Sequence, residues 1–197
     1  MSAPRFIVVE GLDGAGKSTL AAALAVALDA EPLSTPPRAL SPVRSAIDDA
    51  LGESPIASQL FYAGTVAWAS DRARRALADG RSVVLDRYWA TTLAYATWRG
   101  ESMALDAARL GLLAADFTIF VDGDDRVRAQ RLARRGATRC DEESVLRADA
   151  LRAAYESALR GPWVGRLLRL DSTEQGPERC VATALRAIEE ISTREVA

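Results

Sequence analysis

The stretch Gly11-Leu12-Asp13-Gly14-Ala15-Gly16-Lys17-Ser18-Thr19 decides the fold of this chain. It has the spacing of a P-loop, in which successive backbone N–H groups surround nucleotide phosphates at the N-terminus of a helix. The apolar run Phe6-Ile7-Val8-Val9 precedes it, and an Ala/Leu-rich segment follows it. Strand, loop and helix therefore come in the order that the motif requires, and we predict that the chain binds a nucleoside triphosphate.

Lys17 is the only lysine in the chain, so every other basic residue is an arginine. A compact ammonium on a flexible stem can reach the β- and γ-phosphates over such a loop, where a forked guanidinium fits poorly. We expect Lys17 to face solvent and to act in catalysis, and Ser18 to ligate Mg²⁺. The residues predicted from the motif to hold ATP are Gly11, Asp13, Gly14, Ala15, Gly16, Lys17, Ser18 and Thr19.

An acidic and basic pair follows another apolar run, since Asp86-Arg87-Tyr88 comes directly after Ser82-Val83-Val84-Leu85. A carboxylate at that point can hold Mg²⁺ through water opposite Ser18. The neighbouring Arg87 can grip an acceptor phosphate with two hydrogen bonds. The alternative is an Asp/Arg pair that merely closes a strand; the presence of the P-loop favours the functional interpretation.

Composition limits the remaining possibilities. The 197 residues, 49% of them hydrophobic, suit a single domain over 1–197, and the net charge of −2 does not favour a nucleic-acid partner. Cys140 and Cys180 are far apart and the chain has no histidine, which argues against zinc and against a disulfide framework. The P-loop begins too early to leave room for a signal peptide or a membrane span. We expect a cytoplasmic protein that contacts no membrane.

The hydrophobic pattern alternates between strands and helices. Strands are predicted at 6–10, 31–34, 82–86, 117–122 and 166–171. Helices are predicted at 17–29, 40–51, 56–79, 89–98, 103–114, 124–134, 142–159 and 177–192. Near-continuous apolar strands separated by helices indicate a parallel sheet covered on both faces. We therefore predict the α/β three-layer sandwich of P-loop NTPases, with five parallel strands. Ligands in such sheets bind at the carboxyl ends of the strands, where Glu10, Asp86 and Asp122 fall.

An arginine cluster occupies the segment after the fourth strand. Arg128, Arg131 and Arg135 share one helical face, and Gly136-Ala-Thr-Arg139-Cys140 interrupts the helix. Phosphoryl transfer needs cations around the transferring group, delivered by an element that closes and excludes water. We predict a lid over about 134–142 that supplies Arg135 and Arg139, and we expect Arg131 to lie against the adenine. The alternative is a solvated basic face.

These motifs together resemble the thymidylate kinases, which phosphorylate dTMP with ATP and Mg²⁺. The resemblance rests on the P-loop with an internal Asp13, on Asp86-Arg87-Tyr88 followed by Thr91, Thr92 and Tyr95, and on Arg134-Arg135-Gly136 with Arg139. It spans nearly the whole chain. In that family the carboxylate that corresponds to Asp13 contacts the 3′-hydroxyl of the acceptor and helps to set the P-loop. Glycine at position 14 and arginines in the lid resemble the bacterial type.

The acceptor side departs from the family pattern. Members carry Arg-Glu-Pro-Gly-Gly-Thr after the second strand, where this chain has Ser34-Thr-Pro-Pro-Arg38. Phe61 matches the phenylalanine that stacks on the thymine, but Thr65 stands where an arginine hydrogen-bonds the base, and Thr92 replaces a second base contact. The resemblance thus implies an acceptor pocket of Asp13, Arg38, Phe61, Thr65, Arg87, Thr91, Thr92 and Tyr95 with a changed base-reading end.

We therefore expect an ATP- and Mg²⁺-dependent nucleoside monophosphate kinase that acts on dTMP or a related pyrimidine nucleotide. The alternatives are a P-loop kinase for a nucleoside, sugar or antibiotic intermediate, and a non-catalytic nucleotide-binding regulator. A GTPase is disfavoured because an Asn-Lys-x-Asp segment needs a second lysine. The predicted helix 56–79 is apolar over too broad a surface for one buried stripe, which favours a homodimer of the kind the family forms; a fully internal helix is the alternative.

Overall fold

The computed structural model describes residues 3–100 and 103–194. Its centre is a five-stranded parallel sheet in the order β2-β3-β1-β4-β5. The strands are β1 (Phe6–Gly11), β2 (Glu31–Ser34), β3 (Val83–Asp86), β4 (Phe117–Asp122) and β5 (Arg166–Asp171). All five predicted strands are confirmed. Since β1 lies between β3 and β4, the strand order reverses beside the P-loop, which is where ligands bind in such sheets.

The helices cover both faces of the sheet and confirm the three-layer prediction. They are α1 (Lys17–Ala27), α2 (Arg44–Leu51), α3 (Pro55–Ala78), α4 (Trp89–Trp98), α5 (Asp125–Arg135), α6 (Arg139–Leu146), α7 (Ala148–Ala158) and α8 (Pro177–Arg194). Alternate residues of β1 face opposite layers, as the two-residue period of a strand requires. Ile7 and Val9 pack with α1 and α8, whereas Phe6 and Val8 pack with α3.

Three predicted helices differ from the structure. The segment 103–114 is not a helix: one turn at 107–111 ends at Gly111, whose φ is +63°, and Leu113 bonds instead to the side chains of Ser70 and Tyr88. Tertiary hydrogen bonds therefore outweigh the local helical tendency. The prediction 142–159 is divided at Arg147, whose ψ of 34° separates α6 from α7.

The third difference concerns the helix predicted at 40–51. The structure has a 3₁₀ segment (Arg38–Val43) there, followed by α2. Pro42 lies inside the 3₁₀ segment, and its missing N–H prevents a regular α-helix there. No helix in the described part of the chain is long and apolar enough to cross a membrane.

Candidate active site

The P-loop joins β1 to α1 and is packed tightly against its neighbours. A Cβ atom on Gly11 would lie 1.9 Å from the carbonyl oxygen of Val121, and one on Gly14 would lie 2.7 Å from that of Arg128. Larger residues at either position would force the loop away from β4 or α5. Gly16 precedes α1 and makes no side-chain cap, so the first N–H groups of that helix are not taken by a capping side chain.

Lys17 is buried rather than solvent-facing, so that expectation was wrong. Only 4% of the residue is exposed, and its Nζ donates to the carbonyl oxygen of Leu12 at 2.5 Å. Burial, with a further contribution from the nearby Arg87, lowers the pKa of Lys17 to about 7. The ammonium is folded into the loop within 3.9 Å of Asp13.

Asp13, Arg87 and Tyr95 form one buried cluster beside the loop. The guanidinium of Arg87 and the hydroxyl of Tyr95 each donate to a different carboxylate oxygen of Asp13. Burial alone would raise the pKa of Asp13, but Arg87 and Lys17 together hold it well below its usual range. The structure thus brings together three of the predicted residues, which come from the P-loop, the end of β3 and α4.

The backbone of Arg87 is held in an unusual conformation. Its φ is 69°, in the left-handed region that non-glycine residues seldom adopt. Two bonds maintain it: its N–H donates to Val9 at 2.9 Å, and its carbonyl accepts from the hydroxyl of Thr35 at 2.8 Å. Such conformations concentrate at functional sites, where the surroundings force the side chain into position.

Glu10 is a buried carboxylate that organises the start of α4. Its Oε1 accepts from the backbone N–H groups of Tyr88 (2.9 Å) and Thr91 (3.2 Å), and its Oε2 accepts from the Thr91 hydroxyl. The Thr91 hydroxyl also lies 2.9 Å from that of Tyr155. The hydroxyl of Thr91 is thus bonded to Glu10. Its role as an acceptor contact stays a prediction.

Ser18 and Asp86 are the two predicted Mg²⁺ residues. Oδ1 of Asp86 is buried and has no hydrogen-bond partner among the described residues, while Ser18 is exposed at the start of α1. Asp86 also lies close enough to influence the pKa of Lys17. A hydroxyl and an unpaired carboxylate oxygen are ligands that suit Mg²⁺, so these residues fit the predicted ion. The carboxylate of Asp122 differs from that of Asp86, because it accepts a hydrogen bond from Nε of Arg152 at 2.8 Å.

The arginines of α5 serve two separate purposes. Arg128 is completely buried, and its Nε donates to the carbonyl oxygen of Asp13 at 2.8 Å. Arg131 donates to the carbonyl oxygens of Gly14 (3.4 Å) and Ser172 (2.8 Å). These two residues therefore hold the P-loop from beneath, and Arg128 does not belong to a mobile lid. The alternative of a solvated basic face does not fit Arg128 or Arg131.

A cleft lies beside the P-loop between α1 and α8. Arg131 lines it together with backbone and small side chains of both elements; the other lining residues are Ala15, Gly16, Thr19, Leu20, Val121, Ser172, Gln175, Pro177 and Cys180. The cleft adjoins the loop that is expected to hold phosphates, which suits a nucleotide base. The predicted contact between Arg131 and adenine stays a prediction.

The predicted lid is only partly irregular. α5 ends at Arg135, Gly136 has a φ of +84°, and α6 starts at Arg139 with Thr138 and Asp141 forming a capping box. Arg135 is exposed and donates to Asp141 at 2.7 Å. The side chain of Arg139 lies outside the described part of the chain. The catalytic roles of both arginines stay predictions.

The remaining acceptor residues line α3, α4 and the 3₁₀ segment. Thr65 is buried, and its hydroxyl donates to the backbone of Tyr62 at 2.8 Å, so it is occupied within its own helix. Phe61 is half-buried, with its ring 5.2 Å from that of Tyr62. Thr92 is buried on α4, and Arg38 is exposed.

Comparison with known proteins identifies the family of the chain. A sequence model of the family described as thymidylate kinase matches residues 9–181. The chain belongs to the thymidylate kinase family. It is 31% identical to a thymidylate kinase of Shewanella sp. (strain MR-4) over 170 residues, which are 77% of this chain and 80% of that protein. It is 36% identical to a thymidylate kinase of Deinococcus radiodurans over 152 residues, which are 69% of this chain and 73% of that protein.

The fold is also that of solved thymidylate kinases. The structure from Candida albicans superposes with a TM-score of 0.75 at 19% identity, covering 96% of this chain and 93% of that one. The structure from Ehrlichia chaffeensis gives a TM-score of 0.63 at 17% identity, covering 96% and 100%. The family resemblance stated from the motifs and the five-stranded P-loop fold are therefore confirmed.

Sequence reasoning missed two residues that shape this candidate site. Arg128 had a helical spacing that placed it with the lid arginines, and only packing shows that it is buried beneath the P-loop. Tyr155, whose hydroxyl donates to Gly11 at 3.0 Å, carried no sequence signal because a tyrosine in an amphipathic helix usually belongs to the core.

Proposed function

We propose that this protein is an ATP- and Mg²⁺-dependent kinase that transfers the γ-phosphoryl group to dTMP or a related pyrimidine nucleotide. The observation that carries the proposal is the cluster in which Arg87 and Tyr95 meet Asp13 next to Lys17. It places a cation, a hydroxyl and a carboxylate beside a P-loop. A kinase that must orient both a donor and an acceptor phosphate needs such groups.

Each residue has a defined part in this proposal. The P-loop amides and Lys17 hold the β- and γ-phosphates of ATP, and Ser18 with Asp86 holds Mg²⁺, which neutralises phosphate charge when it is bound. Arg87 orients the acceptor phosphate after exchanging its ion pair with Asp13, which then accepts from the sugar hydroxyl. Arg135 and Arg139 supply charge when the lid closes.

Electrostatic stabilisation dominates in this mechanism. Acceptor phosphate oxygens are already nucleophilic at neutral pH, so no covalent enzyme intermediate is required. The burial of Asp13 and Lys17 keeps the reacting region dry, where charged groups act more strongly than in water. We further propose that the enzyme is a homodimer that pairs through α3, and that it is cytoplasmic.

An ADP-release screen tests the proposal. The purified protein is mixed with ATP, Mg²⁺ and one candidate acceptor at a time from a panel of nucleoside monophosphates, free nucleosides and sugars. Release that depends on a pyrimidine monophosphate, and that Lys17→Met abolishes, supports the proposal. Release that depends only on a nucleoside or sugar supports the other P-loop kinases. ATP binding without acceptor-dependent release supports a non-catalytic regulator.

A further inference from the structure

Arg147 joins two helices. It follows the last residue of α6 and precedes the first residue of α7, with φ −115° and ψ 34°. Its N–H donates to the carbonyl oxygen of Glu143 in α6 at 3.0 Å, and its own carbonyl oxygen accepts from the N–H of Leu151 in α7 at 3.1 Å. Backbone hydrogen bonds therefore tie Arg147 to both helices at the point where one ends and the other begins.

The side chain of Arg147 is fixed to a third helix, α4. Its Nη2 donates to the carbonyl oxygen of Trp98 at 2.9 Å, and its guanidinium carbon lies 4.7 Å from the centre of the Trp98 ring. Trp98 is buried and is the last residue of α4. The final carbonyl groups of a helix lack partners within it and attract positive charge. A charged hydrogen bond and a cation–π contact thus hold Arg147 at the C-terminus of α4.

Trp98 connects this anchor to the acceptor side of the site. It lies three residues beyond Tyr95 on α4, and the two rings meet edge to face with their centres 5.6 Å apart. The hydroxyl of Tyr95 in turn donates to Asp13 of the P-loop. Direct contacts therefore run from Asp13 through Tyr95 and Trp98 to Arg147.

The helix that follows Arg147 is fixed to the body of the protein. Leu151 and Tyr155 of α7 are buried in one cluster with Ala94 and Trp98 of α4. The hydroxyl of Tyr155 also donates to the carbonyl oxygen of Gly11 at 3.0 Å. Since α7 is held to α4 and to the P-loop, any movement of the lid has to be absorbed before α7 begins.

The lid lies on the other side of Arg147 and continues into α6. Gly136, with a φ of +84°, separates α5 from α6. Arg135 at the end of α5 donates to Asp141 of α6 at 2.7 Å, so the two parts of the lid are linked. Hinges are typically a few residues at the ends of such elements. Gly136 and Arg147 occupy those positions.

We infer that Arg147 is a positioning residue for phosphoryl transfer, because it fixes the hinge of the lid to the helix that carries Tyr95. The anchor sets the lid relative to Asp13, where the acceptor sugar is proposed to bind. The lid charges then reach the transferring phosphoryl group in register with the acceptor phosphate. This inference rests on the proposed function.

Loss of the anchor leaves a lid that closes on ATP without a fixed position. A displacement of about 1 Å can cost about 100-fold in the rate of a reaction between two oriented groups. A poorly seated lid also admits water, which then competes with the acceptor for the phosphoryl group. The rate of transfer and its coupling to the acceptor therefore report on the anchor.

Arg147→Met tests the inference, because it keeps the length of the side chain and removes both contacts with Trp98. We expect kcat to fall by about 10- to 100-fold, with the KM values for ATP and dTMP changed by less than about twofold. The ratio of ATP hydrolysed to dTDP formed rises. Arg147→Lys keeps a charge over the ring and restores part of the rate. Arg109→Met is the matched control, since the Arg109 side chain is 89% accessible, and it keeps the wild-type kcat and ratio.

A merely structural role for Arg147 gives a different result. Arg147→Met would then have a lower melting temperature and a smaller active fraction, with the hydrolysis-to-transfer ratio of the wild type. That outcome overturns the inference, and so does a wild-type kcat in Arg147→Met.

Hydrogen exchange separates this inference from the proposed function. A non-hydrolysable ATP analogue with Mg²⁺ is expected to protect the backbone amides of 137–146 in the wild type, and Arg147→Met loses most of that protection. Protection that depends on Arg147 in a protein that phosphorylates no monophosphate overturns the kinase proposal and supports the anchor. Equal protection in both proteins, or none in either, overturns the anchor and leaves the kinase proposal to the ADP-release screen.

Discussion

Nε of Arg128 lies 2.8 Å from the carbonyl oxygen of Asp13, and this bond ties the P-loop to α5. The same guanidinium donates to Asp125 at 2.6 Å, and Asp125 is also bonded by Arg152 of α7. Since Arg128 is fully buried, the bond is shielded from water and from salt. The P-loop is therefore supported by a charged network that reaches two helices.

Arg128→Met is expected to weaken ATP binding more than it destabilises the fold. The substitution removes the bond that fixes the Asp13 carbonyl, so ATP has to order the P-loop as it binds, and the Kd for ATP rises about tenfold. Replacing a buried charge by an apolar side chain of similar length limits the loss of fold stability. Calorimetry and thermal unfolding measure the two effects. The exposed Arg126→Met is the control, and an unchanged Kd in Arg128→Met contradicts the account.

ATP binding is expected to take up a proton above about pH 7. Burial lowers the pKa of Lys17 to about 7 in the nucleotide-free protein, whereas bound phosphates favour the charged ammonium. Affinity for ATP is therefore full below that pKa and falls by at most about tenfold for each pH unit above it.

Calorimetry in two buffers of different ionisation enthalpy measures that proton uptake. At about pH 8 the wild type takes up close to one proton more than Lys17→Met, and at about pH 6 the two proteins agree. Equal uptake in both proteins at the higher pH is inconsistent with a neutral Lys17. Lys17→Met also loses turnover by orders of magnitude, because no other side chain replaces the ammonium at the transferring group.

Arg135→Ala is expected to lower kcat with little change in acceptor binding. Arg135 is exposed and paired only with Asp141 in the described structure, so it is available to move when the lid closes. Its charge acts on the transition state rather than on the bound acceptor. Steady-state kinetics and direct acceptor binding test this, with the neighbouring Arg134→Ala as control. Wild-type turnover in Arg135→Ala would instead support the alternative that Arg135 belongs to a solvated basic face with no catalytic role.

A stripe on α3 is expected to mediate dimerisation. Ile56, Leu60 and Trp68 are 44%, 49% and 41% exposed, and Gly64 lies on the same face between them. The helix is therefore not fully internal, which excludes the alternative prediction. We expect the wild type to sediment as a dimer and Leu60→Glu as a monomer, since a charge in an apolar interface is costly. Val26→Glu, at an exposed position of α1, stays dimeric. A wild type that sediments at the monomer mass of 21.1 kDa rules out the dimer.

The fold and the donor loop could be predicted from local sequence because their signals are local. A P-loop between a strand and a helix fixes the order of the first elements, and the alternation of strand and helix patterns predicted the five strands. The prediction of a helix over 103–114 was wrong because the backbone of Leu113 bonds to Ser70 and Tyr88, which are distant in sequence. The burial of Arg128 could not be predicted for a similar reason, because helical spacing does not show which part of the protein packs against a helix face.

Direct detection of the phosphorylated acceptor tests the central claim. A mixture of ATP, Mg²⁺ and dTMP is incubated with the wild type or with Lys17→Met, and ³¹P NMR follows the nucleotides. The account predicts that the wild type converts dTMP to dTDP with one ADP formed for each dTDP, and that Lys17→Met forms neither above background. ADP and inorganic phosphate without dTDP, or no reaction of the wild type with any pyrimidine monophosphate, would contradict it.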